Sequence, residues 1–190
     1  MKLHRLAPIF SVLLILAGCG EDEAPDRPPP ATLTQDAMGH FCGMSLAEHS
    51  GPKGQVLLRG TDQPVWFSSA RDAIAFSYLA EEPRAIRAIY VSDMAKAESW
   101  DQPGVTNWVE ARDAFFVLGS RRRGGMGAEE AVPFSDRAAA ERFAAEQEGR
   151  VVAFTDIPRD WALGGEAAGA LPPQPPPGAG TSAPSTRHSH

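Results

Sequence analysis

Residues 65–76, which read VWFSSARDAIAF, decide the fold. Val65–Phe67 is a short apolar run with the composition of a strand. Ser68 follows it at the position expected of a helix N-cap, and Ala73 and Phe76 then recur on one face at helical spacing. The stretch therefore predicts a strand that runs directly into a helix.

The same pattern returns in the second half of the chain, where residues 132–143 read VPFSDRAAAERF. Ser135 takes the place of Ser68, and Ala140 and Phe143 take the places of the helical pair. Shared periodicity explains the apolar positions but not the recurring serine, so the pattern favours an internal duplication.

Apolar runs flank each copy on both sides. One precedes each copy, at residues 55–58 and 114–118, and one that ends in Asp follows each copy, at 87–93 and 150–156. The prediction is an α+β domain of two ββαβ repeats, at about 51–94 and 113–157.

The first residues predict export. A basic start, Met1–Arg5, precedes an apolar run, Leu6–Leu16, that is shorter than the roughly twenty residues needed to span a bilayer. The run ends in Leu16-Ala17-Gly18-Cys19, which resembles a bacterial lipobox. We expect a signal peptide at 1–18 and a lipid on Cys19, which would anchor the chain to the inner or outer membrane with the domain facing the periplasm.

Composition divides the rest of the chain into three parts. Residues 19–36 are acidic and then Pro-rich, which predicts a tether, and 37–163 have the length of one domain. Residues 164–190 are rich in Pro, Gly, Ala and Ser, which predicts a disordered tail. The net charge of -6 argues against nucleic acid as a partner.

The candidate site lies in residues 38–44, MGHFCGM. With Cys19 taken by lipid, Cys42 has no disulfide partner in an oxidising compartment, so it is buried and inert, redox-active or bound to metal. A thiolate and the thioether of Met44 are soft donors, which select Cu(I) over hard cations. The competing interpretation is a cysteine packed as a small apolar residue.

A second methionine has unusual surroundings. Met126 lies in RRRGGMGAEE, residues 121–130, within the hairpin loop of the second repeat. Glycines give the backbone freedom and leave space around the thioether, so the loop can present Met126 to a shared site. A flexible loop tip with an incidental methionine is the alternative.

The chain resembles the NosL family, lipoproteins accessory to nitrous-oxide reductase, from about Met38 to Trp161 and at the lipobox. The stretches that carry the resemblance are CGM at 42–44, SGPKGQ at 50–55, YVSDM at 90–94, the run 111–119 and GMG at 125–127. The resemblance implies two ββαβ repeats, a fold shared with one domain of organomercurial lyase, and a Cu(I) site built on Cys42, Met44 and Met126. It also implies delivery of copper for the copper–sulfur centre of nitrous-oxide reductase, alongside an ABC-type maturation complex.

One departure from the family pattern leaves the ligand set open. Many members have a second cysteine where this chain has Gly39, and either that cysteine is dispensable or His40 or Met38 replaces it. His188 and His190 could capture Cu(II) or Zn(II), since imidazole suits both. The alternative function is a thiol-dependent enzyme with Cys42 as nucleophile, but this domain lacks the second thiol that lyase chemistry uses, so we do not expect an enzyme.

Overall fold

Two antiparallel sheets carry the fold in the computed structural model, which describes residues 27–79 and 85–164. The first sheet has the order β2-β1-β3-β4 and the second the order β6-β5-β7. Within each repeat the first strand therefore lies between the other two, which confirms the predicted pair of ββαβ repeats. The strands are β1 (Gly54–Leu58), β2 (Val65–Phe67), β3 (Ile86–Ser92), β4 (Trp108–Glu110), β5 (Phe115–Leu118), β6 (Val132–Phe134) and β7 (Arg150–Ala153).

Each repeat contributes one helix that covers its own sheet. Helix α1 (Ala70–Ser77) packs on β1 and β3, and α2 (Arg137–Gln147) packs on β5 and β7. A short helix α3 (Arg159–Ala162) packs against α1, where the guanidinium of Arg71 lies over the indole ring of Trp161 at 4.5 Å. Short 3-10 helices cover Leu46–Glu48, Ala111–Asp113 and Phe154–Asp156.

The predicted N-caps are wrong by one residue in both repeats. The Ser69 hydroxyl, rather than that of Ser68, accepts from the Asp72 N–H at the start of α1. The Asp136 carboxylate, rather than Ser135, accepts from the Ala139 N–H at the start of α2. Both serines predicted as caps are thereby free to bind elsewhere.

The closing strand of the second repeat is shorter than predicted. Strand β3 pairs with β1 on one side and with β4 on the other, and it stays extended as far as Ser92. Strand β7 pairs only with β5, over four residues, and the chain then turns into the 3-10 helix at Phe154–Asp156. Pairing on one side alone does not hold the last three residues in the sheet.

Residues 27–39 form what we call the N-terminal strap, which crosses the face of the first sheet opposite α1. Trp66, Gln55, Tyr90 and Glu110 form a row across the four strands, each directly opposite the next. The strap starts beside β4 and ends at β2, and between its contacts with β1 and β2 the Leu33 N–H donates to the Val105 carbonyl (2.8 Å). Its contacts are Arg27 Nη1 to Asp113 Oδ2 (2.8 Å), the Tyr90 hydroxyl to the Pro28 carbonyl (2.8 Å), a two-way pair between the Gln55 amide and the Ala31 backbone (2.8 and 3.0 Å), and a backbone bridge from Gly39 to Trp66.

Part of the predicted tether, 19–36, therefore lies on the sheet from Arg27 onward. The predicted signal peptide 1–18, Cys19 and the tail from residue 165, with His188 and His190, lie outside the described residues. Among the helices of residues 27–79 and 85–164, none is both long and apolar enough to cross a bilayer.

Candidate metal centre

Cys42 lies in a tight turn that the backbone holds from both sides. Within the turn, the Gly39 N–H donates to the Met44 carbonyl (2.9 Å) and the Gly43 N–H donates to the Gly39 carbonyl (2.7 Å). The His40 N–H donates to the Trp66 carbonyl (2.7 Å), which fixes the turn to the edge strand β2. Gly43 has φ +64°, a backbone conformation that glycine adopts without strain.

The thiol of Cys42 points toward two polar side chains. Its Sγ lies 3.7 Å from Ser68 Oγ and 3.9 Å from His49 Nε2. Ser68, which does not cap α1, is instead positioned by the end of β2 beneath the sulfur. The turn, the strand end and the segment that follows the first 3-10 helix thus meet at this sulfur.

The tautomer of His49 follows from its other nitrogen. Nδ1 lies 3.2 Å from the carbonyl oxygen of Gly125, which can only accept a hydrogen bond, so Nδ1 carries the hydrogen. In the neutral ring Nε2 then has its lone pair free and directed at Cys42 Sγ. Metal-binding histidines are commonly oriented by such a carbonyl.

The loop that carries Met126 approaches His49 closely. A Cβ on Gly125 would lie 2.6 Å from His49 Cβ and 3.0 Å from the Ser50 carbonyl, so only glycine fits there. Met126, the next residue, is 50% exposed, and Met44 is 37% exposed at the other side of the turn. Met44 and Met126 thus follow directly, in sequence, glycines of the cysteine turn and of the loop against His49, and both side chains are open to solvent.

His40 has different surroundings from His49. Its ring packs against the rings of Phe41, Phe67 and Phe76, with centroid distances of 5.2, 5.7 and 5.5 Å. The ring lies against an aromatic cluster, while the residue as a whole is exposed to solvent. Met38, the other candidate for the missing position, is 52% exposed on the same turn.

A buried carboxyl supports the base of the Met126 loop. Glu130 is 1% exposed, and its Oε1 accepts from the Ser69 hydroxyl and from the Arg71 and Ala131 N–H groups. Oε2 is unpartnered within the described residues and faces Gly124, where a Cβ would lie 2.6 Å away. Burial raises the pKa of Glu130 to about 8, against the opposing effect of the three hydrogen bonds.

A buried ammonium holds the segment that follows His49. Lys53 is 2% exposed, and its Nζ donates to the carbonyls of Ser50 (3.1 Å) and Gly51 (2.6 Å). Burial lowers the pKa of Lys53 to about 8, and the nearby carboxyls of Glu130 and Asp101 partly oppose that effect. Lys53 therefore helps to fix the backbone at Ser50 and Gly51, directly after His49.

Sequence reasoning missed His49. The available signal was a second imidazole seven residues after Cys42, beyond Ser45, which caps the 3-10 helix Leu46–Glu48 and so predicts a reversal of the chain. Nowhere in residues 27–79 and 85–164 do three His, Cys, Asp or Glu side chains gather into a metal-binding group.

Known proteins resemble this chain along most of its length. The NosL family model matches residues 30–162. A copper-binding lipoprotein NosL from Achromobacter cycloclastes is 47% identical over 154 residues, covering 80% of this chain and 79% of that protein. One of the same name from Stutzerimonas stutzeri is 34% identical over 173 residues, covering 87% of each.

A solved structure agrees with these relatives. The crystal structure of the copper chaperone NosL from Shewanella denitrificans superposes with a TM-score of 0.64 at 32% identity, covering 68% of this chain and 97% of that one. The likeness therefore extends to sequence as well as to fold. The chain belongs to the NosL family.

Proposed function

We propose that this chain is a Cu(I) chaperone that holds one ion between the Cys42 thiolate and the His49 imidazole, with Met44 and Met126 as the thioethers beside them. The distance of 3.9 Å between Cys42 Sγ and His49 Nε2 carries the proposal. Zinc forms bonds of about 2.3 Å to sulfur and about 2.1 Å to nitrogen, and bonds of that length meeting at a trigonal angle would put these two atoms roughly 3.8 Å apart.

The donor set suits an ion that must be passed on. One thiolate neutralises the charge of Cu(I), and thioethers favour that oxidation state without binding as tightly as further thiolates. Because Met44 and Met126 are exposed, a donor from an acceptor protein can approach the ion and replace one of them. The relatives named copper-binding lipoprotein and copper chaperone support this function over that of an enzyme.

The first experiment is an anaerobic Cu(I) titration against a competing chelator, on residues 19–190 with Cys19→Ser. Cys42→Ser should abolish stoichiometric binding, and Met126→Leu should weaken it. Met94→Leu is the matched control, because Met94 packs, partly buried, against the apolar cluster of the second repeat that contains Val132 and Phe134, and it should bind as the parent does. A parent protein that fails to compete with the chelator would refute the copper site.

We further propose that the ion serves the copper–sulfur centre of nitrous-oxide reductase, alongside an ABC-type maturation complex. In a denitrifying host deleted for its own NosL, this chain should restore nitrous-oxide consumption and Cys42→Ser should not. Equal restoration by both would contradict delivery through this site.

The anchor is a separate proposal, which rests on the lipobox at Cys19 and on the lipoprotein relatives. Labelled palmitate should enter the full chain in a bacterial host and appear in its membrane fraction. Cys19→Ser should remove the label and release the domain into the periplasmic fraction, whereas unchanged labelling would refute Cys19 as the lipidated residue.

A further inference from the structure

We propose that Gly39 is a positioning residue for the metal-binding sulfur: its missing side chain is the space in which Cys42 Sγ lies. A Cβ on Gly39 would lie under 3.0 Å from Cys42 Sγ, a separation that Cβ atoms essentially never show. Gly39 has no φ in the left-handed range, so its backbone conformation does not require glycine. The sulfur does.

The backbone of Gly39 has little room to yield. Its N–H and its carbonyl are both bonded within the turn, to Met44 and Gly43, and the residue also forms a bridge to Trp66 on β2. On another side, Leu46 Cδ1 lies 3.5 Å from the place that a Cβ at residue 39 would take. A methyl group at residue 39 would therefore displace the sulfur and leave the chain in place.

The sulfur can respond only by rotation about its own Cα–Cβ bond. Staggered side-chain positions are about 120° apart, so rotation would carry Sγ away from both Ser68 Oγ and His49 Nε2. Gly39 thus selects the one position of the thiol that faces the imidazole.

This inference rests on the proposed copper site for its effect on affinity, but not for its effect on the sulfur. The first measurement is therefore made without metal, on residues 19–190 with Cys19→Ser, as the rate at which iodoacetamide alkylates Cys42. Gly39→Ala should change that rate severalfold, because the thiol leaves its place between Gly39, Ser68 and His49. An unchanged rate would overturn the proposal whether or not the protein binds copper.

The second measurement is the Cu(I) competition titration. Gly39→Ala should lower the affinity about 10- to 100-fold, the usual loss when a residue that orients a metal ligand is removed. Gly60→Ala is the matched control: Gly60 has φ +79° and open space around it in the β1–β2 hairpin, so the change should lower the melting temperature but leave copper affinity unchanged. Equal losses of affinity in both variants would mean that Gly39→Ala acts through general destabilisation.

A paired substitution tests the shared space itself. Gly39→Ala alone should lower the melting temperature, and Cys42→Ala added to it should restore the melting temperature, since the new methyl group then occupies the volume that the sulfur has left. If Cys42→Ala gives no restoration, the space at Gly39 does not belong to the sulfur and the proposal fails.

Discussion

At the scale of single residues, two histidines nine positions apart have different surroundings. His49 presents one nitrogen to Cys42 Sγ and fixes the other on the Gly125 carbonyl, so its ring joins the cysteine turn to the methionine loop. His40 directs its ring into a cluster of phenylalanines. The neighbour in sequence packs, and the distant one faces the sulfur.

His49→Ala should weaken Cu(I) binding by at least the roughly 10- to 100-fold typical of losing an orienting partner, because a direct donor is lost. His40→Ala is its control and should bind copper as the parent does. A larger loss in His40→Ala would reverse the assignment.

Part of the proposed site is readable from the sequence for a physical reason. The soft donors Cys42, Met44 and Met126 are identified by residue type and by their glycine neighbours, which are local properties. The partner of the sulfur is set by where a 3-10 helix turns the chain back, and His40 is nearer in sequence than His49. The sequence therefore indicates which residues are soft donors, but it does not show that His49 lies next to Cys42.

At the scale of elements, a carboxyl group from the second repeat accepts hydrogen bonds at the N-terminus of α1, the helix of the first repeat. Glu130, just before β6, accepts from the Ser69 hydroxyl and from the Arg71 N–H at the start of α1. Helix N-termini have unpaired N–H groups, and a carboxyl satisfies them. The same side chain supports Gly124 beneath the Met126 loop, so α1 and that loop share one buried support.

This arrangement predicts a dependence of stability on pH. The pKa of Glu130 is about 8 in the folded chain, against an ordinary value of 4.5. Between those values the folded chain holds a proton that the unfolded chain has released, so the free energy of unfolding falls as pH rises, by up to about 1.4 kcal/mol per pH unit. Lys53, with a pKa of about 8, stays protonated in both states below about pH 7 and adds little slope there, and nearer pH 8 it contributes a slope of the opposite sign.

Glu130→Gln should remove that slope between pH 5 and 7.5, because an amide does not titrate in this range. Urea unfolding of the metal-free protein at several pH values measures it. Glu98→Gln, an exposed position, is the control and should keep the slope of the parent. Parallel curves for Glu130→Gln and the parent would show that the carboxyl does not hold a proton at neutral pH.

The strands and helices were largely predictable, and their ends were not. Periodicity marks β1, β2 and α1 and their copies because burial of one face requires it. The two adjacent serines at 68 and 69 both suit an N-cap, and their long-range partners separate them: Ser69 caps α1 and donates to Glu130, whereas Ser68 lies at Cys42. The strap was predicted as a tether because its Pro-rich composition does not reveal that Gln55 and Tyr90 would bind its backbone.

At the scale of the whole molecule, a buried aspartate joins the two repeats. Asp93 follows β3 and is fully buried, and its two oxygens accept from the N–H and the hydroxyl of Ser135, which follows β6 (2.9 and 2.6 Å). Lys96 adds an ion pair at 2.9 Å. Burial alone would raise the pKa of Asp93, but hydrogen bonds from Ser135, Lys96 and Ala95 outweigh it and hold the pKa below its usual value.

Asp93→Asn should lower the free energy of unfolding by about 1–3 kcal/mol, because the Ser135 donors lose a charged acceptor. The part of the stability that the charge contributes is present above the ordinary pKa of 3.8 and is lost as pH falls through the lower folded value. Asp156→Asn, at the exposed counterpart position in the second repeat, should change stability little. Thermal unfolding of the two variants, measured side by side, tests this. A loss of stability in Asp93→Asn alone would show that Asp93 stabilises the contact between the two repeats, and equal small losses would show that its contact with Ser135 is incidental.

Under the proposed lipidation of Cys19 and transfer of copper to an acceptor protein, the strap would limit where that transfer takes place. Only the chain between Cys19 and Arg27, at most about 29 Å when fully extended, would separate a lipid on Cys19 from the folded body. Cys42 lies beside β2, three strand spacings or about 14 Å across the sheet from the edge where the strap begins. Transfer of copper would then take place only in a thin layer above the bilayer. An acceptor protein held in the membrane would meet the ion there at a high local concentration, whereas a freely diffusing acceptor protein would meet it rarely.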